Sequence, residues 1–278
     1  MPELPEVQAH AERLTREFGG SVLDRFTPIT FTALKTAAPA PEAAVGRPLD
    51  GVGRRGKFLL LAFGDVTFVV HLMQGGRLVP DEKQSARPRN GIARFTFADG
   101  RALLLTEAGK ERKAGVWVVS GAPLDQEPLS GLGVDADVVT REQLGALLAG
   151  TNMRLHGFLR DQHGVAGLGR MLANEICHRA KLSPFATTSK LDDAQVDALH
   201  AAIGSCIADA LAFERGLDAM SKSADRPGAV HRRKGETCPE CGDTVRAVEY
   251  SAYEVDYCPT CQTGGKVLAD NTTSKFLK

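Results

Sequence analysis

The 278-residue chain has no excess of either charge, with 34 Lys and Arg against 34 Asp and Glu. Taken alone, that balance argues against a nucleic-acid partner, which a basic protein suits better. Long hydrophobic runs are also missing. Hydrophobic residues make up 43% of the chain, enough for packed cores, yet no stretch approaches the roughly 20 apolar residues of a membrane span. The first residues contain neither the basic nor the apolar region of a signal peptide, so the chain is expected in the cytoplasm. No internal repeat is present. The length leaves room for two domains and a small metal module.

Local charge is less even than the total. From Arg154 to Lys190, six Lys and Arg stand against Asp161 and Glu175, a net of +4. Arg54, Arg55 and Lys57 form a second cluster, and Arg232, Arg233 and Lys234 a third. Such clusters are usually solvated faces, but these three lie beside candidate functional elements and keep a nucleic-acid partner open. Cysteine is scarce, with six residues, of which four fall in two matched pairs: Cys238 with Cys241, and Cys258 with Cys261. Two C-x-x-C knuckles supply the four thiolates of a tetrahedral zinc site and favour zinc over disulfides or a redox motif. No fifth ligand suggests an open position, so one structural Zn2+ is expected. Cys177 and Cys206 lie in apolar helical stretches and read as ordinary buried thiols.

Along the chain, Leu4, Val7, Ala11, Leu14 and Phe18 recur at helical spacing and are closed by Gly19-Gly20. From 21 to about 134 the pattern turns to strands (FLLLAF, TFVVHL, ARFTF, RALLL, GVWVV), which suggests a sandwich or flattened barrel. Residues 36–44 read as a loop or weakly ordered crossing. Helices are predicted over REQLGALLAG, 170–181 and 192–215, and 216–234 reads as a linker or mobile loop.

Two segments carry chemistry. The chain begins MPELPEV, so loss of Met1 would expose a proline secondary amine at position 2. An α-amino group has a pKa of roughly 7.7–8.0, which leaves a useful unprotonated fraction for attack on a sugar carbon. Glu3 and Glu6 follow where a general acid or base is wanted. The bland alternative is an ordinary proline near a helix start. Further on, Gly167 and Gly169 precede a predicted helix, and the turn can bring free N–H groups against a phosphate. Helix packing is the common alternative, and helical neighbours on both sides argue against a dinucleotide fold.

Together these residues resemble the formamidopyrimidine-DNA glycosylase / endonuclease VIII family of base-excision repair enzymes, from end to end. The resemblance rests on MPELPEV, RRGKFLLL at 54–61, HLMQGGRL at 71–78 and PLSGLGVDA at 128–136. It continues through VAGLGRMLANEI at 165–176, CPECG, and YCPTCQTGGKVL near the end. It implies an α+β chain: an N-terminal β-sandwich with a leading helix over 1–134, and a central helical helix–two-turn–helix domain over 135–220. A linker over 221–234 and a C-terminal zinc ribbon over 235–278 would complete it. The implied activity is removal of oxidised bases from damaged DNA, then cleavage of the abasic strand by β- and δ-elimination. A monomer without a membrane partner, associated with the nucleoid through DNA, is the corresponding expectation.

Carried over position by position, Pro2 would be the nucleophile, Glu3 the acid/base group and Lys57 a phosphate-holding lysine near the lesion. Glu6 would support the site and His71 would contact phosphate. Without the resemblance, Glu6 reads as a helix-surface carboxylate, Lys57 as a snorkelling strand lysine and His71 as a half-buried strand histidine. Gln74, Lys113, Gly167, Gly169, Arg170 and Arg246 would meet DNA.

Several positions depart from the family pattern. Arg170 stands where Asn usually follows the G-x-G, and the intercalating Met falls on Gln74, with Met73 one residue early. Lys113-Ala114-Gly115 replaces the R-F-G wedge in a segment about two residues longer, and Ala cannot fill the space left by an extruded base. Tyr253 occupies the position of the zinc-finger Arg, for which Arg246 is the nearest basic substitute in the ribbon. The pattern implies intact Schiff-base chemistry with unusual recognition, favouring bubble, single-stranded or abasic substrates. The segment before the zinc site is short for the loop that embraces 8-oxoguanine, which tilts the expectation toward oxidised pyrimidines or abasic sites. The rival is a DNA-binding member that has lost base excision and keeps at most lyase activity.

Overall fold

The computed structural model describes residues 1–109, 112–221, 225–250 and 253–268. Parts of the predicted wedge segment (110–111), linker (222–224) and ribbon (251–252, 269–278) lie outside the described residues. Two compact units are present: Met1–Gly131 with Asp218–Met220, and Leu132–Leu217 with the chain from Ser221 on.

The first unit opens with α1 (Leu4–Phe18), whose five predicted apolar positions are all 0–1% exposed. Two antiparallel four-stranded sheets follow. One runs β1 (Leu23–Pro28), β6 (Gly91–Phe97), β7 (Ala102–Glu107), β5 (Gly76–Pro80). The other runs β2 (Gly51–Arg55), β3 (Phe58–Phe63), β4 (Val66–His71), β8 (Gly115–Ser120). Between them Phe26, Phe68 and Phe95 meet with ring centroids 5.0–5.3 Å apart. Each such ring, removed from water, contributes about 1.5–3 kcal/mol. The helix docks on β2 through Thr15, whose hydroxyl accepts from Val52 N–H at 2.8 Å and donates to its carbonyl at 3.2 Å. That contact fixes where the chain start lies. Residues 36–44 are better ordered than predicted: Val118 N–H donates to Thr36 Oγ1 at 2.9 Å, and Pro41–Ala44 forms a short 3-10 turn.

In the second unit β9 (Val134–Asp135) pairs in parallel with β10 (Val165–Ala166). The helices are α2 (Arg141–Ala149), α3 (Leu155–Arg160), α4 (Arg170–Arg179) and α5 (Asp193–Arg215). Reciprocal Thr140/Gln143 and Asp192/Gln195 capping boxes start α2 and α5. A hairpin of β11 (Arg246–Glu249) and β12 (Glu254–Tyr257) leads into α6 (Pro259–Thr263).

Helix α5 amends the sequence reading, being long and apolar enough by length and composition to cross a membrane, with a mean hydropathy of 1.4 over its most apolar 18 residues. Its Val196, Leu199, Ile203, Cys206 and Ile207 are buried, it packs on α2 and α4, and Arg141 and Arg179 pair with its Asp193, Asp197 and Asp209. Its packing and ion pairs are those of a helix folded against its own unit.

The described part of the predicted linker is anchored. The Glu175 carboxylate accepts from the amides of Ala229, Val230 and His231 at 2.7, 3.0 and 2.8 Å.

Candidate functional site

At the start of the chain, Met1 is 43% exposed and Pro2 behind it is buried. Glu3 is the N-cap of α1 and Pro5 lies in its first turn. Glu6 sits one helical turn on, so its carboxylate returns to accept from Glu3 N–H at 3.0 Å. This makes it a buried brace, 0% exposed, and corrects the reading of Glu6 as a surface carboxylate. Lys57 follows Gly56, whose φ of 55° turns β2 into β3, and is 4% exposed. Four charged side chains bear on the terminal amine: Glu3 and Glu6 favour its protonated form, Arg77 and Lys57 oppose it. Burial outweighs them and lowers the amine below its usual 8.0.

His71 ends β4 opposite Phe58, with ring centroids 4.5 Å apart, and its Nδ1 lies 2.7 Å from Met73 Sδ. Burial, and then the Lys57 charge, push its pKa down to about 4, so it is neutral at pH 7. The structure thus brings Glu3, Glu6 and Lys57 to the chain start, with His71 beside Lys57. Arg77, which the sequence reading missed, belongs to the same group; its one available signal was being the only arginine in HLMQGGRL.

Gln74 is exposed in the turn between β4 and β5. That turn closes so tightly, through Gly76 N–H to Leu72 O at 2.8 Å, that a Cβ at Gly76 would lie 2.0 Å from the Leu72 oxygen. Lys113 is exposed, whereas Ala114 is 1% exposed, its N–H held by Glu107 Oε2 at 2.6 Å.

In the second unit the four cysteine sulfurs lie within 4.8 Å of one another, with Cys238–Cys261 at 3.9 Å and Cys241–Cys258 at 3.4 Å. Zn–S bonds of about 2.3 Å in a tetrahedron set sulfurs about 3.8 Å apart, so the set fits zinc. His178 of α4 reaches Cys238 Sγ at 3.3 Å, and Gln262 joins Cys258 N–H (2.8 Å) to Leu182 O (2.9 Å). Both contacts orient the knuckles without adding a ligand. Cys177 and Cys206 are buried as expected, and burial raises both thiols, Cys206 to about 12.

The two-turn element is scaffolded by Gln162, which the sequence reading did not single out. Its Oε1 accepts from Gly167 N–H at 3.0 Å, and its Nε2 donates to Arg160 O and Leu168 O at 2.8 and 2.9 Å. Gly167 has φ 102°, a conformation that needs glycine, and Gly169 is the N-cap of α4. Arg170, the first residue of α4, faces Tyr253, its guanidinium 5.5 Å from the ring centroid. Arg246 opens β11. It is paired with Tyr257 at the end of the ladder away from the turn, because hairpin register fixes its distance from the tip.

Fold and site together define a DNA-glycosylase class of protein: a sandwich with a charged chain start, a two-turn helical unit and a zinc ribbon. Family models match throughout. The formamidopyrimidine-DNA glycosylase N-terminal domain covers residues 1–116, its H2TH domain 124–221, and the zinc finger found in FPG and IleRS 235–264. The formamidopyrimidine-DNA glycosylase of Chloroflexus aurantiacus is 30% identical over 277 residues, covering 94% of this chain and 98% of that protein. An uncharacterized formamidopyrimidine-DNA glycosylase-like protein of Mycobacterium tuberculosis is 48% identical over 149 residues, covering 53% of this chain and 94% of that protein. The Lactococcus lactis formamidopyrimidine-DNA glycosylase, solved with DNA containing an abasic site, superposes with a TM-score of 0.79 at 21% identity, covering 94% of this chain and 99% of that one. The chain belongs to the formamidopyrimidine-DNA glycosylase / endonuclease VIII family and is a base-excision repair glycosylase with a structural zinc.

Proposed function

We propose that the chain, once Met1 is removed, excises oxidised bases from damaged DNA through the Pro2 amine and cleaves the resulting abasic strand by β- and δ-elimination. The carrying observation is a terminal amine lowered by burial and surrounded by Glu3, Glu6, Arg77 and Lys57. The same burial and cations would keep a Pro2 amine partly neutral at pH 7, as a nucleophile requires. Its nitrogen attacks C1′ as the bond to the base breaks and the base leaves protonated. The C1′–O4′ bond then opens, O4′ takes a proton, and the resulting iminium acidifies the C2′ hydrogen, whose loss expels the 3′ phosphate and, after a further proton loss, the 5′ phosphate. Glu3 moves the protons. Glu6 holds the Glu3 backbone in place through its 3.0 Å bond. Lys57 meets phosphate as a cation, whereas His71, neutral at pH 7, meets it as a hydrogen-bond donor.

Gln74, Lys113 and the Gly167–Arg170 turn are assigned to the DNA surface, and a cytoplasmic monomer working on the nucleoid follows. Recognition is atypical in this reading. Ala114 is buried and tied to Glu107, so it supplies no wedge, and substrates that need little unstacking are preferred. The same observation supports the second reading, a DNA binder with lyase activity alone. A panel of duplex, bubble and single-stranded oligonucleotides carrying oxidised pyrimidines, oxidised purines or abasic sites tests both. Base loss with nicking, strongest on bubbles, is expected; nicking of abasic strands without base loss selects the second reading; neither activity overturns both.

A further inference from the structure

The hairpin tip carries side chains that the reading above leaves unused. Tyr250 and Tyr253 stack with ring centroids 4.8 Å apart and planes 12° from parallel. The guanidinium of Arg160, at the end of α3, lies 4.7 Å from the Tyr253 centroid, and that of Arg170 lies 5.5 Å away. His156 of α3 lies near-parallel to Tyr253, at 6.4 Å and 15°; it is 3% exposed and its Nε2 has no hydrogen-bond partner. Arg154, exposed at the N-cap of α3, bears electrostatically on Tyr250. Both tyrosines are half-buried, so neither residue is sealed from solvent.

Aromatic faces interleaved with guanidinium groups match unpaired nucleotides, which offer a π-face and a phosphate on every unit. A duplex offers its phosphates but hides the faces of its bases inside the stack. A hairpin that needed only to neutralise phosphate would gain nothing from two stacked phenols. Arginines already held over Tyr253 are partly ordered before binding, which reduces the entropy lost when they take a phosphate.

We propose that this tip is a binding site for unpaired DNA, in which Tyr250 stacks an extrahelical base while Arg154, Arg160 and Arg170 hold the flanking phosphates. It rests on the reading of the chain as acting on damaged DNA and names the preferred substrate form: strands already open beside the damage.

The test uses undamaged oligonucleotides, so its result does not depend on base loss or nicking. Binding of a single-stranded oligonucleotide and of the matching duplex is measured across a salt series with the full-length zinc-loaded protein. Tyr250→Leu is expected to weaken single-strand binding about ten-fold and duplex binding less than about two-fold, with the salt slope unchanged. Arg160→Gln is expected to reduce the salt slope by roughly one on both. For Tyr250→Leu, equal losses on the two forms, or none on either, overturn the proposal. A second measurement uses the wild-type protein and a single-stranded oligonucleotide containing 2-aminopurine. Stacking on the tip quenches its fluorescence, and unchanged emission at saturation overturns the site. If Tyr250→Leu loses zinc, the wild-type quench decides alone.

Discussion

The chain start and the hairpin tip use charge in opposite ways. At the start, Glu3, Glu6 and Lys57 are 3, 0 and 4% exposed, so their charges act on one another with little screening. At the tip, Tyr250, Tyr253, Arg160 and Arg170 are all half-buried and solvent moderates every interaction. Chemistry at a single atom needs a controlled pKa, which burial provides. Binding a strand of variable sequence needs faces and charges that tolerate many partners, which a half-open cluster provides. Three of the four departures from the family pattern, Gln74, Arg170 and Tyr253, lie where solvent reaches; Ala114 is the buried exception.

Zinc removal should separate the two regions most sharply. Structural zinc in small fingers contributes on the order of 10 kcal/mol, so chelation or Cys258→Ser should abolish hydrogen-exchange protection of β11 and β12 while leaving β3 and β4 protected. Equal loss in both would mean the two units do not fold independently.

A smaller but local effect is expected from Glu6→Leu, which leaves the buried Glu3 N–H without its acceptor at a cost of about 1–3 kcal/mol. Processing of lesion oligonucleotides should fall ten-fold or more, while undamaged single strands bind as before. Weakened binding would place Glu6 in recognition instead.

Acid should act on both regions. Burial lowers His10 and His71 to about 4 and His156 to about 3. The unfolded chain takes up these protons from about pH 6.5 downward and the folded chain refuses them, so stability is full above that pH and falls as pH drops toward 4 in the first unit and toward 3 in the second. Denaturant midpoints at pH 7, 5.5 and 4.5 check this, and His10→Gln should flatten the profile. A midpoint constant over that range contradicts it.

The finest distinction concerns the amine. Arg77 opposes protonation of the Met1 amine more than Lys57 does, and the same order is expected once Pro2 carries the terminal amine. Arg77→Met should therefore move the acid limb of imine formation to higher pH, and Lys57→Met should move it in the same direction by less. A shift to lower pH contradicts this order.

Much of this was legible in the sequence for physical reasons. Helix α1 shows a clean apolar stripe, FLLLAF is a short unbroken apolar run of strand length that becomes β3, and paired C-x-x-C knuckles have few other uses. Strands β1, β2 and β5 were not legible, because LDRFTP carries a bulge at Leu23/Arg25 and a terminal proline, and GVGRR and GRLVP are short and rich in glycine or charge. Helix α3, LHGFLR, is too brief to display a period. Site residues defined by distant partners were hidden too: Arg77 matters through the chain start, and Gln162 through three backbone groups of its own turn. Tyr253 stood out as a departure, but its meaning depends on Arg160 and Arg170, which come from two other elements.

The most direct measurement is borohydride reduction of the protein with an abasic oligonucleotide, followed by mass mapping of the adduct. Protein lacking Met1 should trap the strand through Pro2, and Pro2→Gly together with Glu3→Gln should abolish nicking. An adduct on any other residue, or undiminished nicking by that double variant with its zinc intact, would contradict the assignment of the chain-terminal amine as nucleophile.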